Sequence, residues 1–543
     1  MKIKQTISLF VAAALIFPLW SCDFSKKNDE KEIREFTGFF GTRGTPIAHN
    51  NEIQQLIAEK TGGILRETWL DEQENAEDVF SDMIMSNKYP DFVYPDSDNC
   101  PRLLQEGAFI PIDNYWDNYP NLKNFCSREE WERVRADDGH IYFIPLFSSI
   151  WGQEATTIYS EEAFWIQEKV LKWSGYPKLK TLDQFFKLIE DYLEAHPKDE
   201  NGHDYIGYEI LANDTYFFSL DNVPMFLDGY PNDGCCIVDP ETHEAHDYNL
   251  TPTAKKWFRK LNEEYQKGVI DPECFVMTTE QYYDKIASGR VLSMVDQRWV
   301  YNTAAANLPP ECTYIPFGIT IDESIEPHYH SYNAFNDSTG VGISVSCNDP
   351  EAAVKFLNDL LDPEIALLRF WGVENEDYLV DDNGCFYQTD EMKANWKEAE
   401  YNSEHICMYS YMPYYMGMAP DKKNAYSPSF QTEEFYKHLP DEVKECLEAY
   451  DAKTYVELMN EPETNPPWYP MWSFSNTVTS DTDYGIVMKQ IDELKHKQLP
   501  MIVMSQDFDA AWQKYVTAYN EIDTHVYFKE LTDEVERRCN NAA

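Results

Sequence analysis

Between residues 36 and 94 the chain alternates short apolar runs with amphipathic helical patterns. The apolar runs have the length of buried strands and cover residues 36–40, 64–69 and 91–94. Helical periodicity fills the two gaps between them; Asn50 or Asn51 can cap the first helix, and Gly62 can end it. This β-α-β-α-β order predicts an α/β layer fold, in which helices cover a central sheet.

Cap signals mark further helices along the chain. The segment TLDQ at 181–184 has the form of a capping box, and Thr251 followed by Pro252 is typical of a helix start. Asn348-Asp349-Pro350 opens a third helix, and the chain from Trp472 onward has mostly helical periodicity. The α/β pattern therefore continues well beyond the first hundred residues.

The chain begins with a basic and then an apolar segment. Lysines at positions 2 and 4 precede an apolar run over 7–20. This run is shorter than the ~20 residues that a membrane-spanning helix needs, and it contains Pro18. We therefore predict that 1–21 is a secretory signal peptide and that the mature protein lies outside the cytoplasm.

The segment LWSC at 19–22 resembles the lipobox of bacterial lipoproteins, in which the cysteine is acylated and the chain is cut before it. Trp20 departs from this pattern, because a small residue is usual there. Acyl chains on Cys22 would bury methylenes in the bilayer at ~0.8 kcal/mol each and anchor the protein to the outer face of the cytoplasmic membrane. A plain signal peptide with an incidental cysteine is the alternative. Residues 22–35, rich in Lys, Asp, Glu and Ser, then form a flexible tether.

Length and charge restrict the partners of the mature chain. About 520 residues remain after the leader, which is enough for two or more domains. Lys and Arg together number 45 against 95 Asp and Glu, so the formal charge is −50. Such a surface repels nucleic acid and anionic lipid headgroups. We expect no nucleic-acid partner and membrane contact only through the lipid anchor.

Twelve cysteines are present, and an odd eleven remain once Cys22 is assigned to the lipid. They lie singly except for Cys235 and Cys236, and no CxxC pair supports a zinc ribbon or a thioredoxin-like site. The remaining cysteines read equally well as disulfides of an exported protein or as buried free thiols.

Several segments resemble the family 1 extracellular solute-binding proteins, the receptors of carbohydrate ABC importers. In chain order they are QEGAFIPID (105–113), GHIYFIP (139–145), TLDQF (181–185), GVIDP (268–272), KIASG (285–289) and WGVENEDY (371–378). The closing QDFD (506–509) also suits the last helices of that family. Within the family, the chain is similar to the large lipoprotein type of Firmicutes related to the alginate-oligosaccharide-binding proteins.

The resemblance implies two α/β lobes, each with a central sheet flanked by helices, and hinge strands between them. Solute would bind in the cleft between the lobes. The first lobe is expected at 36–146 with a returning segment at roughly 328–378, and the second lobe at 147–327 and 379–543. The chain would cross between lobes near 145–151, near 319–340 and around residue 378. A monomeric receptor with an oligosaccharide ligand and ABC importer permease subunits as partners is implied.

A sugar site needs aromatic faces and polar groups, because sugars offer C–H faces and hydroxyls. Trp299 and Asp296 belong to DQRW after a predicted strand at 291–295, where a sugar receptor of the resembled family carries a stacking tryptophan. Trp151 follows the first predicted crossing, and Trp371 ends a helix beside Glu374. Each of these tryptophans could instead pack in a core.

The first lobe offers candidates in the loops after its strands. Arg43 follows the first strand, and Asp96 and Asp98 follow the third. Loops at the carboxyl ends of strands line the ligand crevice in open α/β sheets. Arg43 could donate in a forked geometry to hydroxyls or a carboxylate, or pair with one of the many surface acids.

Relatives often carry a calcium loop after the helix that starts at Thr181. Here Asp199 and Asn201 fit the third and fifth positions of an EF-hand-like register, but Pro197 occupies the first position and Tyr208 the twelfth. Two charged ligands are therefore missing, and an ordinary Asn-Gly turn fits better. We expect no resident cofactor, with calcium as the weaker alternative.

Other function classes have less support in the sequence. A secreted glycoside hydrolase would also be acidic and aromatic, but no GxSxG, HExxH or phosphate loop occurs. His328 and His330 could share a strand face, without a third ligand at metal-like spacing. A ligand sensor for a membrane kinase would use the same fold. The sequence favours a non-enzymatic, lipid-anchored receptor that captures a neutral oligosaccharide for an ABC importer.

Overall fold

The protein is described by a computed structural model that covers residues 33–71, 74–148, 156–213, 216–332 and 335–542. The predicted signal peptide, Cys22, most of the tether and Trp151 lie outside the described residues. Within the covered ranges, no helix combines the length and the apolar character that crossing a bilayer requires.

The strands are numbered in chain order. They are β1 (Arg34–Phe40), β2 (Gly63–Trp69), β3 (Phe92–Tyr94), β4 (Phe143–Ile144), β5 (Phe147–Ser148), β6 (Glu162–Gln167), β7 (Ile237–Val238), β8 (Ala245–His246), β9 (Ser293–Gln297), β10 (Tyr314–Phe317), β11 (Val341–Ile343), β12 (Leu379–Val380), β13 (Phe386–Tyr387) and β14 (Tyr414–Tyr415).

The helices are numbered in the same way. They are α1 (Glu52–Thr61), α2 (Ala76–Ser86), α3 (Cys100–Gln105), α4 (Pro120–Lys123), α5 (Arg128–Arg133), α6 (Glu168–Ser174), α7 (Leu182–Ala195), α8 (Phe218–Asp221), α9 (Val223–Leu227), α10 (Pro252–Lys267), α11 (Thr279–Ala287), α12 (Arg298–Ala305), α13 (Pro350–Leu360), α14 (Pro363–Phe370), α15 (Asp390–Asn395), α16 (Ala399–His405), α17 (Thr432–Lys437), α18 (Asp441–Ala449), α19 (Trp472–Ser475), α20 (Asp483–Met504), α21 (Phe508–Tyr519) and α22 (His525–Ala542).

Two sheets organise the molecule, and the predicted α/β fold class is confirmed. The first sheet has the order β2-β1-β3-β11-β4; β1 is parallel to β2 and β3, and β11 is antiparallel to β3 and β4. The second sheet has the order β10-β6-β9 and is antiparallel throughout. The predicted β-α-β-α-β segment thus supplies three strands of the first sheet, and the late strand β11 joins it from far along the chain.

The predicted helix caps are present. Thr181 and Gln184 form a reciprocal capping box at the start of α7, and the Thr251 side chain accepts a hydrogen bond from the amide of Ala254 at the start of α10. Asp349 caps α13 in the same manner. These local contacts satisfy amides that a helix start leaves unpaired, each cap contributing about 1 kcal/mol.

Two large apolar cores surround the two sheets. The core of the first sheet draws on residues in 36–144, 335–366 and 407–426, and we call this part of the molecule the N-lobe. The core of the second sheet draws on residues in 159–329 and 443–535, and we call this part the C-lobe. Fully burying one large apolar side chain contributes roughly 1.5–3 kcal/mol, so burial in its own core is a large favourable term for each lobe.

The cores show where the chain passes between lobes. It leaves the N-lobe core after Ile144, returns to it between Tyr329 and Phe335, and leaves it again after Tyr426. This last crossing differs from the predicted position around residue 378, and the segment 407–426 belongs to the N-lobe core instead of the second lobe.

Long-range hydrogen bonds explain the later crossing. The Arg369 guanidinium, 1% exposed, donates to the carbonyl groups of Met408, Tyr409, Met412 and Pro413. The Asn51 amide donates to the carbonyls of Ser403 and Ile406 at 2.9 and 2.8 Å. Apart from Arg369 Nη1, which also donates to the Leu360 carbonyl at 3.2 Å, these buried donors find their partners in the later segment, so they hold it against the N-lobe.

Candidate functional site

A cavity of about 700 Å³ opens in the C-lobe beside the connection from β10 to β11, in which the chain returns to the N-lobe and which we call the crossing segment. This volume lies within the range of small-molecule sites, about 300–1,000 Å³. Its wall is rich in aromatic side chains, which include Phe217, Phe218, Trp299, Tyr332, Tyr469, Trp472 and Tyr527. Polar groups lie between them, among them Glu161, Glu162, Asp221, Asn232, Asn336, Asn476, Asp492 and Lys495. The combination of apolar faces and hydrogen-bonding groups suits a ligand that has both.

Trp299 presents the most exposed ring of this wall. It lies in the first turn of α12, directly after β9, and 56% of the residue is exposed. Its indole N–H donates to the side chain of Gln297, while the rings of Tyr216 and Phe218 each lie 6.2 Å away between centroids. The ring is therefore supported from one side and free to cover a ligand with the rest of its face.

Glu162 provides a buried polar group at the cavity. It begins β6 and is 1% exposed, and its Oε2 accepts a hydrogen bond from the Asn232 amide at 2.7 Å. Among the described residues, Glu162 Oε1 and Asn232 Oδ1 have no hydrogen-bond partner. Burial raises the pKa of the Glu162 carboxyl well above its usual value. A protonated carboxyl can both donate to and accept from a hydroxyl group.

The ammonium group in the wall is already paired. Lys495, on α20, lies 2.5 Å from the Asp221 carboxylate on α8, and both side chains are almost completely buried. Burial opposes the charged form, but Asp221 and Asp492 together raise the pKa of Lys495 above its usual value. Burial also raises the pKa of Asp492. This pair therefore gives the cavity no excess positive charge.

The N-lobe contributes a second aromatic group at the carboxyl ends of its strands. Tyr94 ends β3 and Trp69 ends β2, and both pack on Tyr411, with ring centroids 4.8 and 5.3 Å away. Asn336 lines the main cavity and also a small neighbouring cavity that Tyr94 lines. The strand ends of the N-lobe thus adjoin the C-lobe cavity across the crossing segment, as expected for an open α/β sheet.

The three N-lobe candidates from the sequence lie outside the cavity wall. Arg43 is exposed. The pKa of Glu280 on α11 is lowered by hydrogen bonds from the Glu280 backbone and the Thr278 side chain, and the charge of Arg43 lowers it further. Asp96 accepts from the backbone and side-chain amides of Asn99, both at 2.8 Å, and so closes its own loop. Asp98 is exposed in that loop.

Two other candidates are buried, and the structure corrects the expectation for both. Asp296 is 0% exposed; its Oδ2 accepts from the Tyr282 hydroxyl at 2.6 Å, and burial raises its pKa to about 7. Trp371 is also 0% exposed, and its indole N–H donates to the Ala425 carbonyl at 3.0 Å in the N-lobe. Neither side chain has a free face for a ligand, so both support the fold. Of the predicted ligand-binding residues that are described, Trp299 is the one in the cavity wall.

The candidate calcium loop closes on its own hydrogen bonds. Asp199 Oδ1 accepts from the amides of Asn201 and His203 at 2.9 and 2.8 Å, and Oδ2 lies 3.3 Å from His203 Nδ1. Lys198 pairs with Asp204 at 2.6 Å. Calcium prefers six to eight oxygen ligands with several carboxylates, and here one aspartate is engaged by amides while the other is engaged by a lysine. The residues present do not fit a calcium site.

Sequence reasoning missed most of the cavity wall. Glu162, Asn232 and Trp472 come from three segments that are distant along the chain and meet only in the folded C-lobe. A clue for one of them was the aromatic density of WYPMW at 468–472. A strand that starts with a glutamate gives no comparable signal, because such a residue is usually exposed.

Similar proteins were found in sequence and in structure. The curated fructooligosaccharide ABC transporter substrate-binding protein FusA of Streptococcus pneumoniae is 27% identical over 261 residues, covering 45% of this chain. The chain spans about half the length of that relative, 47% of it. Two solved structures share the fold. The alginate-binding protein AlgQ2 without calcium ion has a TM-score of 0.61 at 16% identity over 93% of this chain and 98% of that one. An EF-hand mutant of FusA in complex with fructo-nystose has a TM-score of 0.62 at 15% identity over 94% and 100%.

A family model covers more of the sequence than the curated relative does. The model of the bacterial extracellular solute-binding proteins matches residues 65–373, which is more than half of the chain. The match begins in β2, includes the second sheet and Trp299 on α12, and ends after α14. The chain therefore belongs to the bacterial extracellular solute-binding protein family.

Proposed function

We propose that the protein is a receptor that captures a neutral oligosaccharide outside the cytoplasm and delivers it to the permease subunits of an ABC importer. The observation that carries the proposal is the cavity wall, where the exposed ring of Trp299 accompanies the unpartnered oxygens of Glu162 and Asn232. A sugar ring can stack on the indole face while its hydroxyls satisfy the buried polar atoms.

The charges in the wall support a neutral ligand. Lys495 is held by Asp221 at 2.5 Å, and the carboxyl groups of Glu161, Glu162 and Asp492 bring no positive charge. A uronate would have to lose its hydration without gaining an unpaired cation in return, which is costly. Neutral hydroxyls carry no such penalty.

The remaining parts of the proposal follow from the family and the leader. We propose that Cys22 carries the lipid anchor and holds a monomeric receptor at the outer face of the cytoplasmic membrane. FusA, the curated relative, is named as an ABC transporter substrate-binding protein, which supports transport over catalysis. In this proposal the sugar leaves the receptor chemically unaltered, and no calcium is required.

A calorimetric titration tests the proposal. We expect the soluble form that lacks Cys22 to bind a neutral fructo-oligosaccharide such as nystose, or another neutral oligosaccharide of a panel, at least ~10-fold more tightly than an alginate oligosaccharide of equal length, since one unpaired buried charge costs more than about 1.4 kcal/mol. Chromatography of the recovered sugar should show no cleavage. Preferred binding of the uronate would contradict the neutral class, and cleaved product would indicate a hydrolase.

A further inference from the structure

A cluster of three potential metal ligands lies at the wall of the cavity. The turn between α9 and β7 carries Asp233, Cys235 and Cys236, whose side-chain oxygen and sulfur atoms all lie within 4.8 Å of one another. Asp233 is 5% exposed and Cys236 1% exposed, whereas Cys235 is half-buried and lines the cavity. No other group of three such ligands occurs among the residues that the structure describes.

The backbone holds the three side chains in this arrangement. Gly234 has a φ of +83°, which permits the tight turn between the aspartate and the two cysteines. Asp233 Oδ1 accepts from the amides of Met471 and Trp472 at 2.8 and 3.1 Å, and this fixes the carboxylate. The Cys235 thiol donates to the same oxygen at 3.5 Å. The ligand atoms are therefore positioned before any ion arrives.

The spacing and the donor types fit a thiophilic cation. A tetrahedral zinc ion with Zn–S bonds of ~2.3 Å holds two sulfurs ~3.8 Å apart, which the observed spread of the cluster allows. Two sulfurs and one carboxylate favour zinc or cadmium over calcium or magnesium, which prefer oxygen. The whole chain has a formal charge of −50, so a cation is attracted to the protein.

We propose that Asp233, Cys235 and Cys236 bind one thiophilic divalent cation of the zinc type, with the fourth position open to the cavity. Both thiols lose their protons to solvent as the two metal–sulfur bonds form, and no electron transfer is involved. Three protein ligands with one open position resemble the arrangement of an exchangeable site more than that of a closed structural site. This inference does not depend on the identity of the sugar.

Cadmium is the probe for the test, because its thiolate complexes absorb in the ultraviolet. We expect the reduced, chelator-treated protein to bind a single equivalent of Cd²⁺ with a thiolate absorption band, and Zn²⁺ to displace it. Cys235→Ser and Cys236→Ser should each lose most of the band and bind at least ~10-fold more weakly. The matched control is Cys385→Ser, a half-buried cysteine in the β12–β13 turn of the N-lobe, which should bind as the parent protein does.

A second measurement tests the proposal without any substitution, so that it holds even if the serine variants fail to fold. In the unmodified protein, bound Cd²⁺ should slow alkylation of Cys235 and leave alkylation of Cys385 unchanged, as read by mass spectrometry. The proposal is overturned if Cd²⁺ produces no thiolate band in the reduced protein, if both serine variants retain it, or if Cys235 is not protected. A disulfide between Cys235 and Cys236 that resists thiol reductants would overturn it as well.

Discussion

Trp299 is the single residue on which sugar binding should depend most. Replacing it by alanine removes a half-exposed ring from the cavity wall, and with it stacking and buried area of about 2–4 kcal/mol. We expect Trp299→Ala to weaken oligosaccharide binding at least ~30-fold in calorimetry while thermal unfolding stays cooperative. The matched control is Trp173→Ala, a tryptophan on α6 that is 43% exposed and lies outside the cavity wall. Unchanged affinity in Trp299→Ala would assign the ring to structure alone.

Asp296 should make stability depend on pH. Its pKa is raised to about 7 by burial, whereas an aspartate in an unfolded chain titrates near ~3.9. Below pH ~4 the folded and the unfolded state both hold the proton, so the contribution of this carboxyl group to stability is complete. As the pH rises from ~4 towards ~7, the unfolded state releases its proton first, and the free energy of unfolding falls by at most about 4 kcal/mol.

Chemical denaturation at about pH 5 and about pH 8 measures this dependence. The Asp296→Asn variant keeps an acceptor for the Tyr282 hydroxyl and has no carboxyl proton, so its stability should change less between the two conditions. The exposed Asp284→Asn serves as the control and should behave as the parent protein does. Equal pH dependence in the parent and in Asp296→Asn would show that this carboxyl is not the source.

At the scale of elements, local signals predicted structure well where local contacts decide it. The runs that became β1, β2 and β3 are apolar and bounded by turns, and the Thr181 capping box is formed as predicted. The docking of 403–426 could not be predicted, because Asn51 and Arg369 hold this segment through its backbone carbonyl groups, and every sequence supplies such groups. The cavity wall could not be predicted either. Trp299 follows a strand at a recognisable position, but the side chain of Asp296, three residues earlier, is buried and accepts a hydrogen bond from Tyr282.

The loop 197–208 should hold its shape without metal. Asp199 is already the acceptor for two amides of the loop, each hydrogen bond contributing about 1 kcal/mol. A bound ion at 100 times its Kd would add ~2.7 kcal/mol and raise the Tm. We expect equal Tm values by calorimetry in calcium and in a chelator, and a lower Tm for Asp199→Ala in both. A calcium-dependent increase of several degrees would contradict this account.

At the scale of the whole molecule, a buried charge cluster joins the lobes. Asp337 lies in the crossing segment between β10 and β11 and is 6% exposed. It accepts from Arg133 of the N-lobe helix α5 at 2.8 Å and lies 3.3 Å from Arg538 of the C-lobe helix α22. Burial would raise the pKa of Asp337, but the two guanidinium groups hold it below the usual value. One carboxylate thus contacts a guanidinium group from each lobe, and Arg538 also pairs with Glu534 of its own helix at 2.6 Å.

This cluster should couple ligand binding to the relative position of the lobes. If sugar contacts both the C-lobe cavity and the N-lobe strand ends, occupancy stabilises the arrangement in which they face each other. We expect nystose, or the neutral oligosaccharide that calorimetry selects, to reduce the radius of gyration in small-angle scattering. Asp337→Asn leaves the buried Arg133 without a carboxylate partner and Arg538 with Glu534 alone, at a cost of up to roughly 3–5 kcal/mol, so the lobes should separate more and compact less on saturation with sugar. The matched control, Asp117→Asn in the exposed pair with Lys123, should compact as the parent does. Tight binding without compaction in the parent protein would remove the closing motion and leave sugar recognition by the C-lobe intact, because Trp299 and Glu162 lie in that lobe alone.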